Sequence, residues 1–512
     1  MDFREILGTS NKRRLRLIEL MYYSREGLPS ERILNELECS LPILLNDISL
    51  INELQDNFIV EKVKGLYRVK LKDDVSIGKL YSEALTTAPE FQIMEQLLFE
   101  SCDNISELSS LLFLSTSNIQ RYLKKIEPSL NKAGILLLYR PLRLEGKESV
   151  IRHFFYRYFI EKQYTLKYSL PEMNDDQIQS IEKFIIEFTK INHLAKKHIF
   201  HKRLTYSVFI SLWRIKNGHH YAPEELRTQG LLLPEKERIN DFSRMIRLVF
   251  NLRLTDVIMR DCLWVSFSDS IVFSREHREA ALSDNPRYTR LFNAHLALTE
   301  RFTKLLGVFY DKQRLLELTT VLVNDVYLYD EDGEFLTILR KSRTVFLEMV
   351  KLMHRFAVEK VTRIVEEFVQ ENKMYQQVDF ITNYVYLLLT EEVDTLELLA
   401  SQDKTIHLLL LSDLSPTEEK FISKVLKQIV YGNFEIHHFE DVWEGSKDVF
   451  QRILSYDGLI TTGSIEGLPK DFPLVSMDPY VTPQAIVSIQ NLVNEISERS
   501  NYHYVGEKKT IE

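Results

Sequence analysis

The feature that most narrows what this chain can fold into is a pattern occurring twice in its first third. Residues 104–146, NISELSSLLFLSTSNIQRYLKKIEPSLNKAGILLLYRPLRLEG, read as a helix, a tight turn, a second helix and a two-stranded wing. Ser106 is placed to cap the first helix, which carries Leu108, Leu111 and Leu112. Ser115 caps the second, where Ile119, Leu123, Ile126 and Leu130 recur at helical spacing and share one face. Gly134 ends that helix, and Ile135–Leu144 predicts a hairpin turning at Arg140-Pro141. A shift of 75 positions toward the N-terminus lays Ile33, Leu37, Leu44, Ile48 and Ile51 on Leu108, Leu112, Ile119, Leu123 and Ile126. Ser40 falls on Ser115, while Ser30 stands one residue early relative to Ser106. A hairpin follows here too, Phe58–Val69, turning at Lys64-Gly65. One amphipathic pair is common by chance. Two with the same anchors, each followed by a wing, are read as tandem winged helix-turn-helix modules over residues 1–71 and 72–164.

The outward faces of the two copies differ. In the second, Thr116, Ser117, Gln120, Arg121, Lys124 and Lys125 lie away from the apolar stripe. Short polar groups and cations on a helix packed by its other side suit the major groove of DNA. The plain alternative is a helical hairpin with a solvated charged face. Arg140 and Arg143 on the wing are expected to meet phosphate. In the first copy the positions of Ser117, Arg121 and Lys124 hold Pro42, Asn46 and Ser49, so that helix has no outward cation. Asn46 and Ser49 stay as groove candidates. Phosphate contacts there would come from Lys12, Arg13, Arg14 and Arg16, or from Lys62, Lys64 and Arg68 around the wing. Such contacts position a protein and do not read sequence. With few side chains suited to bidentate base contacts, DNA shape and flexibility are expected to carry much of the preference.

A net charge of −9 argues against DNA at first sight, but its distribution matters more. Residues 1–160 hold 22 basic and 22 acidic side chains, so the whole deficit lies beyond them. A neutral N-terminal third can present a basic face, and the acidic remainder would keep off the phosphates. No apolar run approaches the roughly 20 residues needed to cross a bilayer. The opening MDFREILGTSNKRRLRL has no signal-peptide core. The expected location is the cytoplasm, with no membrane partner. Cys39, Cys102 and Cys262 match neither a zinc spacing nor a disulfide framework. His193, His198, His201, His219 and His220 flank one amphipathic helix without a convergent ligand set, so no metal and no cofactor is expected. HExxH, GxSxG, Walker and GxGxxG patterns are absent, and an enzyme is not expected.

Along the chain, residues 11–24 read as the first helix, Lys72–Pro89 as a connector and Glu90–Ser101 as the helix supporting the second module. Lys147–Gln163, rich in aromatics, predicts a helix that packs modules together. From about 165 to 395 amphipathic helices follow one another, divided near Ser274–Pro286 into bundles over 165–285 and 286–398. The period then changes. Ile406–Leu411, Phe434–Phe439, Gly458–Thr461 and Leu474–Met477 read as strands between helices, a small parallel α/β domain over 399–499 with a polar tail, 500–512. The loop Ser412–Lys420 could face a small anion, but it has no glycine to let backbone close in. The expected class is a mainly α, multidomain chain.

LSTSNIQRYLKKI (Leu114–Ile126), LECSLPILLNDISLI (Leu37–Ile51), HKRLTYSVFISLWRIKNGH (His201–His219) and the α/β tail from Lys404 together resemble the Mga/AtxA family of regulators from Gram-positive bacteria. The resemblance covers nearly the whole chain and rests on domain order more than on any one motif. It implies a DNA-binding regulator of the global or virulence type, an activator, acting on double-stranded DNA as a dimer or higher oligomer. It implies that both bundles are related to phosphotransferase-regulated (PRD) domains, with a phosphotransferase phosphocarrier protein as partner. It also implies that the tail is related to a sugar-transport EIIB component and serves self-association. His201, just ahead of the helix ending in Trp213-Arg214, is the residue implied as phosphoryl acceptor. The chain departs from the pattern at Ser207, where many such domains have histidine. The late helix Phe380–Leu389 has no histidine, and residues 263–512 lack the EIIB cysteine. Two other readings remain open: a phosphotransferase-system component, and an RNA-binding antiterminator, which would begin with a β-rich domain instead of helices.

Overall fold

The computed structural model describes residues 3–508 apart from 25, 55–57, 74, 163–169, 195–197, 222–225, 227–229, 268–271, 273, 328–337, 340–341, 374–377, 392–393, 402–403, 440–445 and 466. It divides into two compact units, residues 1–292 with 323–341, and residues 293–322 with 342–512.

The first unit opens with a 3-10 turn (Phe3–Ile6) and α1 (Thr9–Tyr23), then β1 (Leu28–Pro29), α2 (Ser30–Leu37), α3 (Leu41–Leu54), β2 (Phe58–Val63) and β3 (Leu66–Leu71). The strands form an antiparallel sheet in the order β1-β3-β2, with Val63 paired to Leu66 across the Lys64-Gly65 turn. Gly65 sits at φ 84°, a conformation that favours glycine. Ile33, Leu37, Leu44, Ile48 and Ile51 close this module's own core with Leu17, Phe58 and Tyr67.

The connector expected over Lys72–Pro89 is instead a helix, α4 (Ile77–Thr87). Its Leu80, Tyr81 and Leu85 are buried, and the intervening Gly78 and the KDD run before it hide that stripe in the sequence. There follow α5 (Pro89–Phe99), α6 (Ile105–Leu112), α7 (Thr116–Lys132), the antiparallel pair β4 (Ile135–Tyr139) and β5 (Leu142–Gly146), and α8 (Glu148–Lys162). The repeat holds at the level of elements. α2 and α6 have the same length and the same offset as α3 and α7 at their starts. The turn between the helices uses a left-handed residue in both, Glu38 (φ 49°) and Phe113 (φ 54°).

The unit continues with α9 (Asp175–Ile191), α10 (His198–Lys216), α11 (Asn240–Phe250), α12 (Asp256–Cys262), α13 (Trp264–Phe267) and α14 (Arg275–Asp284). α14 lies where the sequence suggested only a break between bundles. Ser274 caps it by accepting from the His277 amide at 3.1 Å, and its weak apolar pattern explains why it was not legible. The second module and this bundle share one continuous core. α8 is the joint: Phe154 meets Phe3 at 4.6 Å between ring centroids, and Phe159 meets Phe209 at 5.5 Å.

Two histidines are buried neutral in this unit. Desolvation beside Arg157 and Arg203 takes His153 down to about 3, and desolvation takes His277 down to about 4. The unfolded chain binds these protons from the ordinary value of 6.5 downward while the folded chain refuses them. Folding stability is therefore complete above 6.5 and falls as the pH drops below it, by about 1.4 kcal/mol per pH unit for each histidine. Urea unfolding at a series of pH values checks this. His153→Gln should flatten the slope, and an unchanged slope would contradict the assignment.

The second unit holds most of α15 (Pro286–Leu306) and α16 (Lys312–Tyr327), then α17 (Ser342–Glu371), α18 (Val378–Glu391) and α19 (Thr395–Ser401). α17 breaks its helical geometry at His354 (φ −129°, ψ 47°). The chain then alternates: β6 (Ile406–Leu411), α20 (Pro416–Ile429), β7 (Phe434–His438), α21 (Ser446–Ile453), β8 (Gly458–Thr461), β9 (Leu474–Ser476) and α22 (Pro483–Lys508). The four strands are parallel in the order β7-β6-β8-β9, as the alternating pattern predicts. One face carries Leu408, Leu410 and Ile436 against Leu426 and Ile489; the other carries Leu409 and Leu459 against Val449 and Ile453. Among the described residues no helix is long and apolar enough to cross a membrane.

Candidate nucleic-acid interface

In the second module, α6 is capped by Asn104, not by Ser106. The Asn104 side chain accepts from the Glu107 amide at 3.1 Å, and Glu107 accepts in return from the Asp103 amide at 2.9 Å. Ser115 caps α7 as read, accepting from the Asn118 amide at 3.2 Å. Ile119, Leu123, Ile126 and Leu130 are fully buried. Thr116, Ser117, Gln120, Arg121 and Lys124 are exposed on the opposite side. Arg121 lies over the Tyr122 ring, 5.4 Å from its centroid, which leaves its guanidinium edge available. Neither Arg121 nor Lys124 has an acidic partner among the described residues. At the wing tip Arg140 is exposed as well.

Two expected contacts are placed elsewhere. Lys125 donates from Nζ to the Leu7 carbonyl, and burial lowers its pKa, so it anchors the N-terminal segment onto α7 instead of facing outward. Arg143 pairs with Glu145 and lines a polar cleft with Glu148, Arg214 and His219. A helical wheel marks which positions leave the module's own core. It does not mark which of them another segment covers.

The first module shows the same effect more strongly. Arg13 Nε donates to Asp47 Oδ2 at 2.6 Å, and Arg14 lies 3.9 Å from the other oxygen of a carboxylate only 1% exposed. The hydrogen bond to Asp47 raises the Arg13 pKa. Both arginines thus neutralise an internal acid and are not free for phosphate. Arg16 is exposed but pairs with Glu36 at 3.4 Å. Lys12, Lys62, Lys64 and Arg68 are exposed, Lys62 lying 5.2 Å from the Tyr67 ring centroid. On α3, Asn46 and Ser49 are exposed, the latter donating to Glu53 at 2.9 Å. Around them Leu41, Ile43 and Leu45 are also exposed, which makes this helix face apolar where that of α7 is basic. Phe113, 95% exposed in the turn between α6 and α7, was not picked out by the sequence pattern because its position is left-handed and outside both stripes.

Behind the second module lies a buried ionic network. Arg214 of α10 is fully buried; it donates to Glu148 at 2.6 Å and to Glu100 at 3.0 Å. Arg152 of α8, also fully buried, holds Glu148 at 2.9 Å and Asp261 at 2.7 Å. Burial pushes the Glu148 carboxyl up, but the two arginines outweigh it and leave its pKa lowered. His219 Nε2 lies 2.6 Å from Glu100 and His220 Nδ1 3.1 Å from Asp261. Glu100 ends α5 and Glu148 opens α8, so the network fastens the second winged module to the helical bundle.

Residues 73–159, which run from just before α4 almost to the end of α8, match the Mga helix-turn-helix domain. Over 449 residues the chain is 20% identical to a protein of Streptococcus pneumoniae serotype 4 whose name describes a trans-acting regulator, covering 86% of this chain and 88% of that one. It is 22% identical over 267 residues to the capsule synthesis positive regulator AcpA of Bacillus anthracis (49% of this chain, 54% of AcpA). It is 24% identical over 216 residues to the capsule synthesis positive regulator AcpB of the same organism (41% and 43%). The matched domain is a helix-turn-helix domain, a type that binds DNA. The helix-turn-helix match centred on α6 and α7 and the regulators' names of the relatives support a DNA-binding transcriptional regulator similar to the Mga/AtxA family.

Proposed function

We propose that the chain is a positive regulator of transcription that reads promoter DNA with α7 in the major groove. The observation that carries this reading is the uncovered strip Ser117, Gln120, Arg121 and Lys124 on a helix whose opposite side is fully buried, inside the matched domain. Thr116 would approach the groove edge and Arg140 a phosphate beside it. Lys12, Lys62, Lys64 and Arg68 of the first module would add backbone contacts, with Asn46 and Ser49 of α3 offered to bases. The positive sign is supported by the names of AcpA and AcpB. The helical bundles over 165–285 and 286–398 would act as PRD-like domains answering to a phosphocarrier protein, with His201 as acceptor. The α/β domain over 399–499 would act as an EIIB-like unit joining copies of the chain.

Binding of the full-length protein to a promoter duplex and to an RNA hairpin of equal length tests the reading. The deep, narrow major groove of A-form RNA does not admit a helix such as α7. Affinity for the duplex should be higher by roughly tenfold or more, with a steep salt dependence. Equal or tighter binding to the hairpin would favour the antiterminator and overturn the assignment.

A further inference from the structure

The parallel pairing of β6 and β7 brings together three side chains that the DNA-binding reading does not use. His407 pairs in register with Glu435, and His437 follows two residues along the same strand on the same side. His407 Nδ1 and His437 Nε2 lie 3.0 Å apart, and Glu435 Oε2 is 3.7 Å from each. We propose that these three form a binding site for a divalent transition-metal ion of the zinc type.

The spacing of the three donors fits such an ion. A point equidistant from three atoms at those separations lies about 2.0 Å from each, the length of a zinc bond to imidazole nitrogen or carboxylate oxygen. All three donor atoms lie within 4.8 Å of one another with no rearrangement of the strands. The donor chemistry agrees with the spacing. Two imidazoles and one carboxylate are a borderline set that takes zinc, cobalt, nickel or copper, whereas magnesium and calcium prefer all-oxygen cages.

Neighbouring residues hold these donors in place. Asp457 accepts from the His407 amide at 2.8 Å through its carboxylate, and its own amide donates to the His407 carbonyl at 2.9 Å, so that strand end is held from both sides. Tyr456 lies 5.3 Å from the His437 ring, between centroids, and limits its rotation. The next residue, His438, belongs elsewhere: it faces Glu419 at 3.4 Å and Ser423 at 3.2 Å. The three donors are half-exposed, so an ion held by them keeps a coordination position open to solvent. An ion here would also tie the edge strand β7 to β6.

The test uses the full-length protein, stripped with a chelator and titrated with zinc by calorimetry and with cobalt by visible absorption. The proposal expects one ion per chain and a cobalt spectrum with nitrogen ligation. His407→Ala with His437→Ala should remove that equivalent, and Glu435→Gln alone should weaken it while leaving the circular dichroism unchanged. An equivalent that persists in the double variant would assign the ion to other residues and overturn the proposal. So would a wild-type chain that takes up no zinc.

Discussion

Replacing Arg121 and Lys124 together with alanine should lower affinity for promoter DNA by about a hundredfold or more near physiological salt, since good base contacts are each worth about 1–3 kcal/mol. It should also flatten the dependence of log K on log salt by about one to two units, one for each phosphate counterion no longer released. Both side chains stand clear of the core that Ile119, Leu123, Ile126 and Leu130 form behind them, so the variant should melt at the wild-type temperature. Lys125→Met is the matched control. It lies one residue further along the same helix, but its ammonium is spent on the Leu7 carbonyl. Its loss should cost little affinity and loosen the N-terminal segment. Fluorescence anisotropy over a salt series checks all of these outcomes. If Lys125→Met were the more damaging change, the orientation of α7 toward DNA would be wrong.

The second large effect concerns stability. Arg214→Met should destabilise the first unit by about 3–5 kcal/mol, because it leaves Glu148 and Glu100 facing a buried site with part of their counter-charge gone. Arg152 still holds Glu148, so the loss should fall mainly on the joint between α5, α8 and α10. Arg214→Lys should recover only part of the stability, since one ammonium cannot span two carboxylates as a guanidinium does. The network also has a pH signature. The Glu148 pKa is lowered in the folded chain, so its contribution is complete above the ordinary carboxylate value of 4.5 and is lost as the pH falls through the lowered one. Denaturant midpoints for the three proteins decide the matter. An unchanged midpoint in Arg214→Met would show that the ion pairs do not hold the module to the bundle.

The legible parts of this molecule were those governed by local period. The stripe from Ile119 to Leu130 and its copy from Ile33 to Ile51 have few ways to fold, and the strands from Ile406 onward are short apolar runs between helical segments. Weakly patterned helices were not legible. α4 is interrupted by Gly78, and α14 is held by its cap and by the burial of His277 more than by an apolar face. Nor could local pattern reveal what distant segments do to a charge. Arg13 looks like a phosphate contact until Asp47, 34 residues away, accepts from it. Lys125 looks outward until Leu7 arrives from 118 residues away. His407, Glu435 and His437 show no ligand spacing along the chain; only the pairing of neighbouring parallel strands makes them a cluster.

The most direct test of the central claim is site-specific photocrosslinking from the outward face of α7. A benzophenone side chain introduced at Gln120 of the full-length protein should crosslink to bases of the promoter duplex, with one at Asn46 of the first module as comparison. The account predicts base crosslinks from position 120 that disappear when Arg121 and Lys124 are also replaced by alanine. No crosslink from position 120, in a protein that still binds the duplex and crosslinks from position 46, would contradict it.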